Sequence, residues 1–175
     1  MTMRIASDII ERYFNKRRKR KMSWFNYYGL AIFVLMMIPN VVYAAKNKGF
    51  FGENVADKAV SVVENVARIG SFVFLIFNVP YTYAGFWFEN ALVVYLSVNG
   101  ILLFFYLSIW LVMRNKETVL RAVLLSVIPS AILIFSGILV RSAPLTAFAL
   151  TFAPCHIYIS VVNSSAAANK RKKED

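Results

Sequence analysis

Residues 118–163 read TVLRAVLLSVIPSAILIFSGILVRSAPLTAFALTFAPCHIYISVVN, and this stretch decides the fold class. It holds two apolar blocks, 118–140 and 142–163, which are separated by Arg141 alone and contain no Asp or Glu. The blocks are 23 and 22 residues long, and about 20 apolar residues are enough to cross the hydrocarbon core of a bilayer as a helix. The stretch therefore predicts two consecutive transmembrane helices with a very short connection.

Three further apolar blocks precede this pair, at residues 27–45, 69–88 and 91–113. The chain of 175 residues is 59% apolar and 17% charged, with a mean hydropathy of +0.58, whereas soluble domains are about half apolar and a quarter charged. We therefore expect an all-α integral membrane bundle of five proline-kinked transmembrane helices plus one amphipathic interfacial helix. If the first block is instead a cleaved signal peptide that ends near Ala45, four spans remain.

The composition also excludes several classes of function. The formal charge is +11, but most of the Lys and Arg residues lie in short stretches beside the apolar blocks, so membrane topology explains them better than nucleic-acid binding does. One cysteine rules out a disulfide framework within the chain, and one histidine rules out a multi-histidine metal site. We expect no metal, no cofactor and no nucleic-acid partner.

The charged residues divide the chain into a basic N-terminal extension (1–21), a membrane domain (22–163) and a basic tail (164–175). From Met22 onward, 11 Lys and Arg residues fall on one side of the five crossings and Arg141 alone falls on the other. This asymmetry predicts a cytoplasmic C-terminus. With five crossings, however, the basic extension would then lie on the opposite side, against the same rule. Three explanations stay open: a first block that re-enters at Pro39–Asn40, translocation of the extension, or a natural start at Met22.

The bilayer itself is the main expected partner. The predicted contacts with lipid headgroups are Lys16, Arg17, Arg18, Lys19, Arg20 and Lys21. If this run faces the cytoplasm, each basic residue contributes about 1 kcal/mol of attraction to anionic lipid. A homodimer is also compatible with so small a bundle.

Residues 53–68 lie in the one long connection and predict an amphipathic helix in the membrane interface. The apolar stripe of this helix consists of Val55, Ala56, Ala59, Val60, Val62, Val63, Val66 and Ala67. Glu64 and Arg68 fall on the opposite, polar face as a favourable i,i+4 pair. We interpret the helix as a cover over one end of the bundle, with a gate or a partner site as the alternative.

Prolines interrupt four of the five predicted spans. They are Pro39, Pro80, Pro129 and Pro154. Each removes a backbone hydrogen bond and frees a carbonyl group, and transporters use broken helices of this kind to build a binding site near the membrane midplane. We therefore expect a kink in each of these four helices.

Polar side chains close to these prolines predict a ligand-binding site lined by Asn78, Tyr81, Tyr83, Asn99 and His156. The competing interpretation is that the buried amides only hold the helices together. Because the five blocks contain no Asp or Glu, the sequence predicts no carboxylate proton relay. No motif supports a Ser–His or Cys–His pair, so no catalytic residue is predicted.

Several short segments carry a resemblance to other proteins. They are Ile38–Asn40, Tyr43–Ala44, Phe77–Asn78, Gly85–Phe86, Val98–Gly100, Ile128–Ser130, Phe135–Gly137 and Phe152–Ile157. From Met22 onward, across all five blocks, the chain resembles a family of small multi-span membrane proteins from bacteria. The resemblance implies a bacterial cytoplasmic membrane and implies no particular activity.

The sequence thus predicts a multi-pass protein of a bacterial cytoplasmic (inner) membrane that binds or transports a small neutral or weakly anionic molecule. One alternative is a structural or accessory subunit that packs with another membrane protein. The other is a membrane-embedded lipid-modifying enzyme, which needs His156 within hydrogen-bond reach of a serine or of Cys155.

Overall fold

The computed structural model describes residues 24–46, 55–114 and 118–174. The helices of these segments are α1 (Tyr27–Lys46), α2 (Lys58–Ile76), α3 (Ala91–Val112), α4 (Val119–Val140) and α5 (Ala143–Glu174). Between the helices, the described segments contain two isolated β-bridges, Phe25–Phe77 and Tyr83–Ser142, and no longer strand. The basic run at 16–21 and the first two residues of the predicted interfacial helix lie outside the described residues.

The five helices form a closed ring in the order α1, α2, α5, α4, α3, and each packs against the next. Neighbouring helices run antiparallel except α1 and α3. We call one end of the bundle the Arg141 end; it holds the starts of α1, α3 and α5. We call the opposite end the Lys58 end; it holds the starts of α2 and α4 and the last turns of α5.

The outside of this ring is apolar. Large side chains such as Val93, Ile101 and Phe104 of α3 are exposed, although exposed apolar patches of this extent are rare on soluble proteins. Four helices in the described segments are long and apolar enough to cross a membrane, namely Lys58–Ile76, Ala91–Val112, Val119–Val140 and Ala143–Lys170. These helices and their apolar exterior support an integral membrane protein.

The first predicted span forms a helix without a turn at Pro39–Asn40, since α1 continues from Tyr27 to Lys46. Phe33 of α1 meets Phe72 of α2, with their ring centroids 4.9 Å apart. The re-entrant explanation of the charge asymmetry is therefore not the conformation in the structure.

The second predicted span and the predicted interfacial helix differ most from expectation. Residues 58–76 form one continuous helix, α2, and residues 77–90 form an irregular connection. Asp57 begins α2 because its side chain accepts a hydrogen bond from the backbone N–H of Ala59. Pro80 therefore lies in a turn rather than within a span, whereas Pro39, Pro129 and Pro154 lie inside helices.

The last helix is longer than the predicted fifth span, because α5 continues through the basic tail to Glu174. The tail contains alanines, lysines and an arginine, which are good helix formers, and lacks glycine and proline. Positive charge near a helix C-terminus is also favourable. With 32 residues, α5 is about 48 Å long, so its last turns extend beyond a hydrocarbon core of about 30 Å.

Candidate ionic site between α2 and α5

Glu64 is the most unusual residue of the described bundle, because its carboxylate is buried inside a candidate membrane span. The residue is 1% exposed, whereas Val62 is 62% and Val66 is 59% exposed. The valine stripe of α2 therefore faces outward, and the stripe that carries Glu64, Ala67 and Ser71 faces the other helices. This orientation is the reverse of the one expected for a helix on a water-covered surface, and it is the arrangement that lipid favours.

Two basic side chains, Arg68 and His156, bind the Glu64 carboxylate. Arg68, one turn further along α2, donates from Nη2 to Oε2 at 2.6 Å and from Nε to Oε1 at 3.1 Å. His156 of α5 lies on the other side, with Nδ1 at 2.8 Å from Oε1. Because an ionised carboxylate only accepts hydrogen bonds, Nδ1 carries a proton in this arrangement. We call these three residues the ionic triad.

The packing of α2 against α5 explains how the triad forms. The helices are antiparallel, with Val55 N–H donating to Asn163 Oδ1 at the Lys58 end. Further along, the rings of Phe74 and Phe148 stack at 5.6 Å. Glu64 and His156 fall between these two contacts, so the register of the helices brings them level. Small residues on the facing stripes let two helices approach closely.

Phe152 fixes the orientation of the histidine ring. It lies one turn before His156 on α5, and the two rings stack at a centroid distance of 4.5 Å and an interplanar angle of 21°. Phe152 is itself buried, so it restricts the imidazole from one face. An aromatic ring in this position also attracts the imidazole more strongly when the imidazole is protonated.

The triad is near one surface of the bundle rather than at its centre. Glu64 is six residues from the start of α2, which places it about 9 Å along the helix from the Lys58 end. The side chains of Arg68 and His156 are 41% and 25% exposed, while that of Glu64 is 2% exposed. The two partners thus reach from the surface toward a buried anion.

The triad corrects one prediction from the sequence. The sequence placed every Asp and Glu outside the predicted spans, yet Glu64 lies within the candidate span Lys58–Ile76. The block boundary at Ile69 excluded it because Glu64 and Arg68 lower the local hydropathy. Their i,i+4 spacing was visible, and it signals a neutralised pair that a span tolerates.

The predicted ligand-binding residues occupy different parts of the bundle. His156 belongs to the triad. Asn99 of α3 is buried against α4, where its Nδ2 donates to Ser136 Oγ at 3.2 Å. The next residue of α4, Gly137, packs on Thr146, and Thr146 precedes His156 by ten residues of α5. Asn99 and His156 are therefore about 15 Å apart along the helix axis.

The remaining three predicted residues lie in the irregular connection at the Arg141 end. The backbone N–H of Asn78 donates to the carbonyl of Trp24 at 2.8 Å, and Tyr81 is fully exposed with a left-handed φ of 68°. Tyr83 pairs with Ser142 in a β-bridge. Because Ser142 precedes His156 by 14 residues, Tyr83 is about 20 Å from the triad along α5.

The chemistry of the triad is that of a proton-handling or anion-binding site. In the described segments, His156 bonds to Glu64 and to no serine or cysteine, so a nucleophile and base pair is not assembled there. The same segments contain no group of three or more metal-ligating side chains. A carboxylate that accepts from Nδ1 orients the imidazole ring and leaves Nε2 as the acceptor of the neutral ring.

Comparison with protein-family models, curated proteins and solved structures finds no match to the chain. The fold and the site are therefore the basis for assigning the class of protein. The described part of the chain is an all-helical bundle with four candidate membrane spans, and an ionic triad lies between two of them.

Proposed function

We propose that the protein binds and carries a small, weakly anionic molecule across a membrane, and that the ionic triad is the polar part of its binding site. The burial of the Glu64 carboxylate between Arg68 and His156 carries this proposal. Ionisable groups within membrane spans are costly and mark ion or substrate pathways by default. His156 is the member of the predicted ligand site that stays in this proposal.

Charge balance favours an anionic ligand. With His156 neutral, the positive charge of Arg68 balances the negative charge of Glu64. When His156 gains a second proton, the triad carries one net positive charge, which is expensive in a low-dielectric environment. A monovalent anion removes that net charge, so a proton and an anion bind most favourably together. The pair amounts to a neutral acid, which a membrane interior accepts more readily than either ion alone.

The inner stripe of α2 supplies a second polar position beyond the triad. Ser71 is seven residues further into the span, which is about 10 Å, and it is completely buried. Its hydroxyl has no hydrogen-bond partner in the described part of the chain. On α5, Pro154 lies two residues before His156 and cannot donate to the carbonyl of Leu150. These polar groups extend the proposed path toward the Arg141 end.

We further propose that the Lys58 end faces the cytoplasm of a bacterium and that the protein lies in the inner membrane. Lys58, Arg114, Lys170 and Lys173 are at this end, whereas Arg141 is the only Lys or Arg that the structure describes at the other end. The excess of positive charge on the cytoplasmic side is the usual rule for membrane proteins. The triad would then open toward the cytoplasm.

Ligand-induced stabilisation tests the proposal. Purified protein in detergent at neutral pH is titrated with sodium formate and, for comparison, with glycerol, while thermal unfolding and proton uptake from a weakly buffered solution are recorded. We expect formate to raise the melting temperature with about one proton taken up per bound anion. His156→Gln should lose both responses, whereas Glu64→Gln, which leaves the charge of Arg68 unbalanced, should still bind formate but without proton uptake.

Asn99→Ala is the matched control, since it also removes a polar group inside the bundle but leaves the triad intact. It should keep the formate response of the wild type. Equal stabilisation of the wild type and His156→Gln would contradict the proposal. Stabilisation by glycerol alone, without proton uptake, would replace the weakly anionic ligand by a neutral one.

A structural role with another membrane protein is the second candidate. Ala143 and Ala147 are four residues apart on α5 and both are exposed, which is the small-residue spacing that helix partners use. Cysteine cross-linking at Ala147 in native membranes distinguishes this role, since a fixed partner gives one discrete product. The enzyme alternative has less support, because His156 is paired with Glu64 rather than with a nucleophile.

A further inference from the structure

A shallow, open groove of about 500 Å³ lies on the outside of the bundle where α4 meets α5. It starts at the Arg141 end and descends toward the middle of α5, on the far side of the membrane from the ionic triad. Arg141 and Trp87 form its upper rim, and Ile138, Ala147 and Leu150 line the part below. The groove therefore has a polar rim at the level of the headgroups and an apolar floor at the level of the acyl chains. We call it the rim groove.

Arg141 is held at the rim by the end of α4. It caps this helix in the left-handed region with a φ of 56°, and its backbone N–H donates to the carbonyl of Ile138 at 3.1 Å. The guanidinium lies over the Trp87 ring at 4.8 Å from the centroid. The indole is itself fixed, because its Nε1 donates to the Ile138 carbonyl at 2.7 Å. The position of the Arg141 guanidinium is therefore fixed by these contacts.

The charge of Arg141 has no carboxylate partner within the described part of the chain. Its side chain forms none of the ion pairs found there, and the residue is exposed. Its guanidinium provides a fork of N–H donors that matches a phosphate group in two parallel hydrogen bonds. Below it, the exposed side chains of Ala147 and Leu150 form an apolar surface on the face of α5.

We propose that the rim groove binds one anionic phospholipid, with the phosphate on Arg141 and one acyl chain along Ala147 and Leu150. The rise from Arg141 to Leu150 is nine residues, or about 14 Å, which is half of the hydrocarbon core. This is the depth that one chain of a single leaflet occupies. The site is independent of the ionic triad and of the proposed transport function.

Charge complementarity favours a lipid over a second helix. A helix seated in the rim groove would bury the Arg141 guanidinium without a counter-charge, and an unpaired buried charge is strongly unfavourable. A phosphate neutralises the guanidinium in place. A lipid with net negative charge is preferred to a zwitterionic one, because a choline group near Arg141 would add a second cation at the rim.

Fluorescence quenching by brominated lipid tests this site, because Trp87 lies in its rim. A variant that keeps only this tryptophan, with Trp24→Phe and Trp110→Phe, is placed in phosphatidylcholine vesicles. Part of the lipid is replaced by brominated phosphatidylglycerol or by brominated phosphatidylcholine. We expect an apparent affinity at Trp87 about fivefold higher for the anionic lipid, as one basic residue provides near a surface.

Arg141→Gln should reduce this ratio to one, while Arg141→Lys, which keeps the charge at the same backbone position, should keep most of it. Arg114→Gln, at the Lys58 end, is the matched control and should leave the ratio unchanged. If Arg141→Gln does not fold, high salt supplies the same test, since it screens a surface charge. A ratio of one in the parent, or an unchanged ratio in Arg141→Gln, would overturn the proposal. If neither lipid quenches Trp87, the proposal is also overturned, because a second copy of the chain then covers the groove.

Discussion

Two polar contacts inside the bundle differ in kind. Asn99 and Ser136 join α3 to α4 through neutral groups that hydrogen-bond to each other, at 3.2 Å from the amide nitrogen. The ionic triad joins α2 to α5 through a carboxylate and two groups that carry or accept protons. The neutral contact is buried on both sides, whereas the triad buries only its carboxylate. Both contacts lie in candidate spans.

We expect this difference to separate a contact that only holds helices together from the proposed binding site. A neutral pair between membrane helices contributes about 0.6 kcal/mol on average and satisfies itself. A buried ion pair costs much of its attraction in lost hydration, and apolar residues of similar volume are often as stable. A bundle that needed only cohesion would therefore have little use for Glu64. Four experiments on stability test whether the two contacts differ in this way.

The largest effect is expected for removal of the buried anion. Glu64→Leu leaves Arg68 without its partner and the Nδ1 proton of His156 without an acceptor. We expect a loss of about 3 kcal/mol, at the low end for a broken buried pair, because the Arg68 side chain is 41% exposed and water or headgroups still reach it. Reversible unfolding in mixed micelles measures the change.

Glu89→Gln is the control for this experiment, since Glu89 is an exposed carboxylate in the connection before α3. Its substitution should change stability by less than about 0.5 kcal/mol. Similar losses from Glu64→Leu and Glu89→Gln would mean that Glu64 makes no special contribution, and the contrast between the two contacts would fail.

A double-mutant cycle measures the next effect, the coupling between the two helices of the triad. Glu64→Gln and His156→Gln are made singly and together, and their unfolding free energies are compared with the wild type. We expect a coupling of about 1.5 kcal/mol, as hydrogen bonds to charged groups provide. Additive losses would show that the contact between Nδ1 and Oε1 is not formed in the folded protein.

The same cycle on the neutral contact should give a smaller number. Asn99→Ala and Ser136→Ala are expected to couple by about 0.6 kcal/mol. Gly100→Ala is a useful control on the neighbouring residue, because a Cβ at Gly100 meets no atom within 4 Å. A coupling at Asn99 equal to that of the triad would remove the distinction between the two sites.

The smallest change is expected when the whole triad becomes apolar. A variant with Glu64→Leu, Arg68→Met and His156→Phe should lie within about 1 kcal/mol of the wild type, because no unpaired charge remains and the desolvation cost disappears. It should nevertheless lose the formate response. If this variant unfolds while each single substitution is tolerated, the triad is chiefly structural.

Much of the fold was predictable because hydropathy marks long spans. The blocks at 91–113, 118–140 and 142–163 correspond to α3, α4 and α5 within a few residues at most ends. The boundary of α2 was not predictable in this way, because Glu64 and Arg68 lower hydropathy inside a helix that continues through them. A hydropathy value is assigned to each residue separately. It therefore misses that Glu64 and Arg68 neutralise each other's charge.

The candidate site was only partly accessible from the sequence. His156 stood out because it is the one histidine of the chain, but its partner lies 92 positions away. That pairing depends on the antiparallel register of α2 and α5, which no local pattern encodes. The apolar stripe of α2 predicted a helix in the membrane interface, whereas in the structure its exposed valines lie on the outside of a candidate span.

The length of α5 has a mechanical consequence. One uninterrupted helix carries Leu150 in the rim groove and His156 in the triad, about 9 Å apart. Between them stands Pro154, where the backbone ladder lacks a hydrogen bond and bending is easiest. If the segment of α5 before Pro154 tilts, either the imidazole of His156 moves with it or the helix bends at Pro154. The backbone at Pro154 therefore determines how far a tilt of the outer segment displaces His156.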